Sequence, residues 1–532
     1  MAARGTSALT RREPFGNVEG ATEDLQRLVS PGKASLALPD GGLSMRVFAG
    51  WKGAGKTVYL KKHREEAARR SARDGFYVSD LLADLPPTTT TVMTLAQSRK
   101  RPDLPGLWTR LWRHAIVLSA ATHLLFDPKL SSYLAHAPDQ FASSSYVRRL
   151  SEPIDVYDTF RVLTSSAERR LSLDSTEWDR FESLTARALE HAPPVSLYVD
   201  SIDKEFEAAP SYWMRTQEGL LTALVDLINS HKFGGRLHTT ITVRDMVISS
   251  IMRSTHASKM LDTGYIRTLN WDPASLRNLV LKKIRELPRT LLVEPEVVKQ
   301  DSVRAWLGFS KIHNLERGVD EDALDYLIRH SRFIPRDIVD VGNTISREIE
   351  SYPSSFNPER FRQIVSRMAL KHGREQLFIC AQEIAADLLP AGLDDLSYFG
   401  GMEHLKSMAA TLEHVLRSQR TDIITSDDFA LLSREIEVEF EQYTINPKLD
   451  RSTLVPIVVD ALWHNRVIGY RLSSSRAAAG AYHFYGVNSD SRFDLPSEGV
   501  ELALHPCMLD AVPGLTPSGG TPVIADEHEG RR

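Results

Sequence analysis

Three observations predict an α/β fold built on a parallel sheet. Residues Gly50 to Thr57 read G-W-K-G-A-G-K-T, a complete match to the phosphate-loop pattern G-x-x-x-x-G-K-[ST]. The apolar run Met45-Arg46-Val47-Phe48-Ala49 precedes that loop, and a Lys-, Glu- and Ala-rich segment, Val58 to Arg69, follows it. The loop therefore sits between a strand and a helix, the setting its chemistry requires. Further strand-like runs then alternate with helical ones as far as Leu269, which is the pattern of a parallel sheet covered by helices on both faces.

Residues 1–40 are punctuated by Gly, Pro and Ser and read as a lead-in with one short helix around Thr22 to Leu28. The core spans 41–271. Its second strand is Gly75 to Ser79, followed by a Pro/Thr loop from Pro86 to Thr91 and a mainly helical insertion, about 92–190. Trp108 and Trp112 fall at helical spacing within that insertion, so they read as packing residues. Val195 to Asp200 is a buried-strand run ending in an acid. A helix from about Tyr212 to Ser230 follows, with leucines on one stripe. Thr239 to Val243 and Tyr265 to Leu269 complete the strands. From Asp272 to about Lys371 the pattern is helical only, a lid over the core, with Pro335 suited to the first turn of a helix. Residues 372–512 carry helices to about Glu441 and a further helix within Arg451 to Asn465, which Pro456 kinks or confines to its later residues. Strands follow at Val467–Leu472 and Ala481–Val487, giving a mainly α, winged-helix-like unit. Residues 513–532 are Gly/Pro/Thr-rich and read as a disordered tail.

A chain of 532 residues exceeds one core, and its 42% hydrophobic and 25% charged content is that of a globular protein. Its two cysteines, Cys380 and Cys507, exclude a disulfide framework or a cysteine metal cluster and fit a reducing compartment. The polar N-terminus has no secretory leader, and the apolar stretch His114 to Phe126 is too short to span a bilayer. The expected location is the cytoplasm, with no membrane partner. The net charge of −4 is unevenly divided. Residues 371–532 carry an excess of acids. Residues 97–150 are basic through Arg99, Lys100, Arg101, Arg110, Arg113, Lys129, Arg148 and Arg149.

The loop residues each have a reason. Gly50, Gly53 and Gly55 let the backbone curl so that the N–H groups of the stretch Gly50, Trp51, Lys52, Gly53, Ala54, Gly55, Lys56, Thr57 converge on phosphate oxygens. Lys56 supplies a mobile point charge for the β- and γ-phosphates, and Thr57 a hydroxyl for Mg²⁺ at a helix N-terminus. Asp200, at the end of its strand, is the partner of Thr57 through Mg²⁺. The segment that follows reads D-S-I-D-K-E, so Ser201 stands where many phosphate-loop proteins with an extra central strand place Glu directly after the metal-binding Asp. Asp203 and Glu205 are the acids left to polarise an attacking water; we favour Asp203, and the departure implies slow turnover. Arg244, after the Thr239–Val243 strand, can reach the γ-phosphate end of the site or can instead pair with Asp245 or Asp262, and Thr242 is a second candidate for that end. Arg332 and Arg336 flank Phe333-Ile334-Pro335. An arginine at that helix start can report the γ-phosphate from the lid side, or can pair with Asp337 or Asp340 instead.

G-W-K-G-A-G-K-T, Y-V-D-S-I-D, the T-I-T-V-R strand, L-N-W-D and R-F-I-P-R-D together resemble a bacterial family of AAA/STAND-related P-loop ATPases. These are often found beside antiviral or mobile-element genes. Trp51 stands where relatives commonly have Arg, and Ile334-Pro335-Arg336 takes the place of the plainer R-P-R-D. The resemblance covers about residues 14–350 and extends loosely to the C-terminal unit and Leu504-His505-Pro506. It implies an ASCE/AAA-like core, ATP and Mg²⁺ as cofactors, phosphate held by Lys56 and Thr57, Mg²⁺ held by Thr57 and Asp200, and Arg336 as the lid sensor. The function expected first is an ATP-hydrolysing switch, exchanging ATP and ADP. It would control a partner effector or its own oligomerisation, in phage defence if the resemblance extends that far. The alternative is an ATP-dependent nucleic-acid-binding protein using the winged-helix-like unit, with Arg451, Arg466, Arg471 and Arg476 as a basic face, and the 97–150 segment. A third reading is a scaffold that binds nucleotide without hydrolysing it.

Overall fold

Val47, Phe48 and Ala49 are buried on both faces, as the central strand of a covered parallel sheet must be, and lie in β1 (Met45–Ala49). The structure, a computed structural model, describes residues 13–16, 45–81, 105–134, 146–147, 150–164, 176–200, 210–252, 265–315, 318–388, 402–444, 450–472, 483–484, 495 and 500–517. Ser201, Asp203 and Glu205 lie outside the described residues. So do the 22–28 helix, the 86–91 loop, Arg99, Lys100, Arg101, Arg148, Arg149 and Arg476, and the tail beyond 517.

With β2 (Tyr77–Val78), β3 (Val195–Val199), β4 (Leu237–Val243) and β5 (Ile266–Thr268), β1 forms a five-stranded sheet in the order β2-β3-β4-β1-β5. Every pairing is parallel, as the fold class expected from the sequence requires. Register then aligns the strand ends. Ala49 pairs with Val243 and Val199 with Ile241, so Gly50 leaves the sheet beside Arg244, and Asp200 beside Thr242. Ligand crevices of open α/β sheets form at such carboxyl ends.

Helix α1 (Lys56–Asp74) begins after Gly55 (φ 93°) and ends at Gly75 (φ 69°), whose N–H returns to the Ser71 carbonyl. The insertion contributes α2 (Pro105–Phe126), α3 (Val156–Thr164) and α4 (Thr176–His191). Trp108 and Trp112 are buried there, and the Trp112 ring stacks on Phe160 with centroids 4.3 Å apart. Helix α5 (Pro210–Asn229) crosses α2 so closely at Gly219 that a Cβ there would lie 2.5 Å from the Trp108 Cβ. Helix α6 (Asp245–Met252) continues from β4.

The region after Asp272 is helical with one correction. Asp272 caps α7 (Pro273–Glu286) by accepting the Ser275 N–H at 2.6 Å. Helix α8 (Ser302–Leu307) follows, and then β6 (Lys311–Asn314) and β7 (Val319–Asp322) form an antiparallel hairpin where only helix was expected. Their sequences, K-I-H-N and V-D-E-D, are mostly polar; β6 buries Ile312 and Asn314 in alternation, but with Asn as one of the two the pattern is not an apolar alternation. Helices α9 (Ala323–Arg329) and α10 (Pro335–Ser351) complete the region, with Pro335 in the first turn of α10. The N-terminal segment is pinned here: Phe15 donates its N–H to Asn343 Oδ1 at 2.8 Å, and Asn343 Nδ2 donates to the Gly16 carbonyl at 3.0 Å.

A single helix, α11 (Pro358–Leu388), carries the chain through residues 371 and 372 into the C-terminal region. There α12 (Met402–Arg417), β8 (Ile423–Ile424), α13 (Ser426–Phe440), α14 (Leu454–His464), β9 (Ile468–Leu472), β10 (His483–Phe484), β11 (Val500–Leu504) and α15 (Cys507–Ala511) follow; all but β10 contribute to one core, and Phe484 of β10 joins the core of the preceding helical region. Pro456 sits in the first turn of α14, where it removes no intrahelical donor. Strands β9 and β10 pair antiparallel, but β9 makes its longer pairing with β11, and the sheet order is β10-β9-β11-β8. Val500, Leu502 and Leu504 alternate along β11, a signal the sequence reading passed over. Among the described residues no helix is long and apolar enough to cross a membrane.

Three buried histidines tie stability to pH. Burial lowers His63 to about 3, with Arg46 adding to the effect; it lowers His123 to about 4 despite Asp127 and Asp80; and it lowers His505 to about 3, with Arg466 nearby. Each is neutral when folded and takes up a proton below the ordinary 6.5 when unfolded, so the unfolded chain binds more protons between these values. Stability should therefore fall as pH drops from about 6.5 towards 4, by up to about 1.4 kcal/mol per pH unit for each histidine. The urea midpoint at pH 7 is expected to exceed that at pH 5. A midpoint that rises on acidification would contradict the assignment.

Candidate functional site

The loop between β1 and α1 has the conformation its glycines permit. Gly53 and Gly55 have φ values of 95° and 93°, a region that side chains rarely adopt. Lys56 folds back over the loop, its Nζ donating to the Gly50 carbonyl at 2.7 Å and to the Trp51 carbonyl at 2.9 Å. Two indoles fix the loop, one reaching in from outside and one reaching out from it. Trp271 Nε1 donates to the Ala54 carbonyl at 3.0 Å, and Trp51 Nε1 donates to the His464 carbonyl at 2.9 Å. Both rings are almost fully buried. Trp51 thus uses its side chain as a tether to the C-terminal region, while Lys52 lines a cleft beside the loop.

Across the strand ends, Thr242 Oγ1 donates to Asp200 Oδ1 at 2.6 Å, and Asp200 is 2% exposed. Arg244 is buried and its backbone N–H donates to Gln217 Oε1 at 3.1 Å. Its neighbour Asp245 was missed as a site residue by sequence reasoning. Burial raises its pKa above the usual carboxylate range, while the positive charges of Arg466, Lys56 and His464 oppose that rise. The structure therefore gathers Gly50–Thr57, Asp200, Thr242 and Arg244 at one edge of the sheet and adds Asp245 to the surroundings of Lys56.

A third wall comes from the turn after α14. Arg466 is 1% exposed, lies with its guanidinium carbon 4.8 Å from the centroid of the Trp51 ring, and donates through Nη1 to the carbonyls of Arg332 (2.9 Å) and Phe333 (3.3 Å). The turn is held from behind by Glu383, whose Oε1 lies 2.7 Å from His464 Nδ1 and whose Oε2 accepts from Asn465 Nδ2 at 2.6 Å. The receiving loop is held by a buried pair: Arg332 Nε and Nη2 donate to Asp337 at 2.7 and 2.8 Å. That pairing pulls Asp337 well below the usual carboxylate range in spite of burial. Breaking a buried pair of this kind costs about 3–5 kcal/mol. Phe333 and Arg466 both have positive φ, 55° and 56°, an uncommon conformation for such residues and the one local trace of this contact.

The two arginines around Phe333-Ile334-Pro335 thus part company. Arg332 takes the pairing with Asp337. Arg336 donates its backbone N–H to the Gly53 carbonyl at 3.3 Å, and its side chain lines the cleft beside Lys52, with Nε buried and without a hydrogen-bond partner among the described residues. Gly53 is required by this approach, because a Cβ there would lie 2.9 Å from the Arg336 Cβ. Both cysteines are buried, and burial raises both thiols, which suits packing and disfavours nucleophilic chemistry. No protein-family model matches the chain, and no curated protein matches it.

Proposed function

We propose that this protein is an ATP-dependent switch, in which the phosphate loop reads nucleotide and the C-terminal region reports it. The observation that carries this reading is the direct seat of the α14–β9 turn on the loop through Trp51, His464 and Arg466. A ligand that reshapes residues 50–56 must act on that seat, so nucleotide occupancy and domain arrangement are energetically coupled.

ATP or ADP would lie on the N–H groups of Gly53 to Thr57, with Lys56 leaving the carbonyls of Gly50 and Trp51 for phosphate oxygens. Thr57 and Asp200 offer hard oxygen donors of the kind Mg²⁺ prefers, and the ion would supply charge neutralisation between the phosphates. Asp200 is oriented for this by the hydroxyl of Thr242. Asp203 is our candidate for orienting water, and Arg244 for sensing the γ-phosphate. The output is control of an effector protein or of self-assembly; the family resemblance would put it in phage defence.

The nucleic-acid reading draws less from the described residues. Arg466 is buried in the clamp, Arg451 pairs with Glu441, and Arg471 pairs with Glu501, so the expected basic face is largely neutralised. Steady-state phosphate release tests the enzyme. Wild type should turn over slowly but faster than Lys56→Ala. Asp203→Ala should bind ATP normally and hydrolyse it roughly a hundredfold more slowly. Wild type no faster than Lys56→Ala would reduce the protein to a nucleotide-binding scaffold.

A further inference from the structure

Beside the loop lies a cleft of about 720 Å³, within the size range of small-molecule sites. It is bounded by Lys52, by Arg336 at the start of α10, and by one face of α11 bearing Arg367, Leu370, Arg374 and Phe378. These α11 positions recur at helical spacing and so share a stripe. Two further cations at its edge are already neutralised: Arg332 by Asp337 and Glu375, and Lys371 by Asp340. Arg336, Arg367 and Arg374 form no ion pair among the described residues. Arg336 Nε is in addition buried and makes no hydrogen bond among the described residues, so it is a donor that a ligand oxygen can use. Of the loop residues Gly50–Thr57 only Lys52 lines this cleft; Gly55, Lys56 and Thr57 do not, nor does Asp200, so the cleft adjoins the phosphate cradle and shares Lys52 with it.

We infer that this cleft is a second anion site that takes a small nucleotide-class ligand bearing two or more phosphates. Guanidinium groups are suited to phosphate oxygens, which they bind in a forked geometry, and three of them lack a carboxylate. Leu370 and Phe378 give an apolar floor on which a base can lie. Concavity favours a small molecule over a nucleic-acid strand. Such a ligand bridges Lys52, the start of α10 and α11, and so stabilises the arrangement in which the α14–β9 turn is seated. The inference goes beyond the switch reading and does not require it.

The test is calorimetric titration of the full chain carrying Lys56→Ala, without Mg²⁺, using inorganic tripolyphosphate and then ATP. One tripolyphosphate per chain should bind, and adding Arg367→Ala and Arg374→Ala should weaken it at least about tenfold. Both arginines are exposed on a helix, so an unchanged melting curve separates this loss from misfolding. ATP should bind more tightly than tripolyphosphate, and Phe378→Ala should remove that margin. Absence of binding in the Lys56→Ala chain, or indifference to the two arginines, overturns the proposal. So does an arginine dependence shown by single-stranded DNA alone. Should Lys56→Ala match wild type while the arginine pair abolishes all binding, the cleft stands and the phosphate-loop reading fails.

Discussion

Lys56→Ala is expected to raise the dissociation constant for ATP by roughly a hundredfold or more. A charge-assisted hydrogen bond contributes about 1.5–3 kcal/mol, and Lys56 would make such bonds to two phosphates. The side chain is held ready for this. Its ammonium rests on two loop carbonyls, at 2.7 and 2.9 Å, which phosphate oxygens can replace without moving the helix behind it. Removal also strips the buried Asp245 of one of the positive charges that oppose its raised pKa. Some loss of stability should accompany the loss of binding, so a thermal melt is the control. Lys56→Arg should not restore affinity, since a planar fork cannot occupy the position of a compact ammonium. Titration with Mg·ATP reads the effect; an affinity equal to wild type in a folded variant would remove the phosphate loop from the account.

The second large effect is expected at Arg466. Arg466→Ala deletes a buried cation over the Trp51 ring and leaves the Arg332 and Phe333 carbonyls without their donor. Together these are worth about 3 kcal/mol, on the order of a hundredfold in the balance between seated and released turn. Amides of the loop at 50–55 should exchange faster with deuterium, and bound nucleotide should leave faster. Trp51→Phe, which keeps an aromatic ring and loses the hydrogen bond to the His464 carbonyl, should shift both readouts in the same direction. If the two residues form one seat, the double variant should show less than the sum of the single effects. Unchanged exchange at the loop, in a variant that melts like wild type, would show that the seat carries no coupling.

The parts of this molecule legible in the sequence are those specified locally. The phosphate loop, its flanking strand and helix and the acid-ended β3 each sit within a few residues of their own signals, and the parallel sheet follows from their alternation. Sheet order was not legible, because the insertion of β4 between β1 and β3 is decided by pairings far apart in the chain. The β6–β7 hairpin escaped because its residues are mostly polar, and β11 because Ala503 and Glu501 between its apolar residues blur the alternation. The clamp was invisible for a different reason. Trp51 and His464 are separated by 413 positions, and neither residue type announces the other. Even Arg466 reads as a surface cation until its burial and positive φ are known. The assignment of roles to Arg332 and Arg336 depended on which of them Asp337 would take, a choice made by packing alone.

A nucleotide's phosphates are expected to lie on residues 50–57, with Thr57 and Asp200 sharing a magnesium ion. A crystal structure with Mg²⁺ and a non-hydrolysable ATP analogue tests it most directly. The account expects the metal at about 2.0–2.1 Å from the Thr57 hydroxyl, with Asp200 bound to it directly or through one water, and Lys56 moved from the carbonyls onto phosphate. A metal touching neither residue, or an analogue found only in the cleft lined by Arg367 and Arg374, would contradict it.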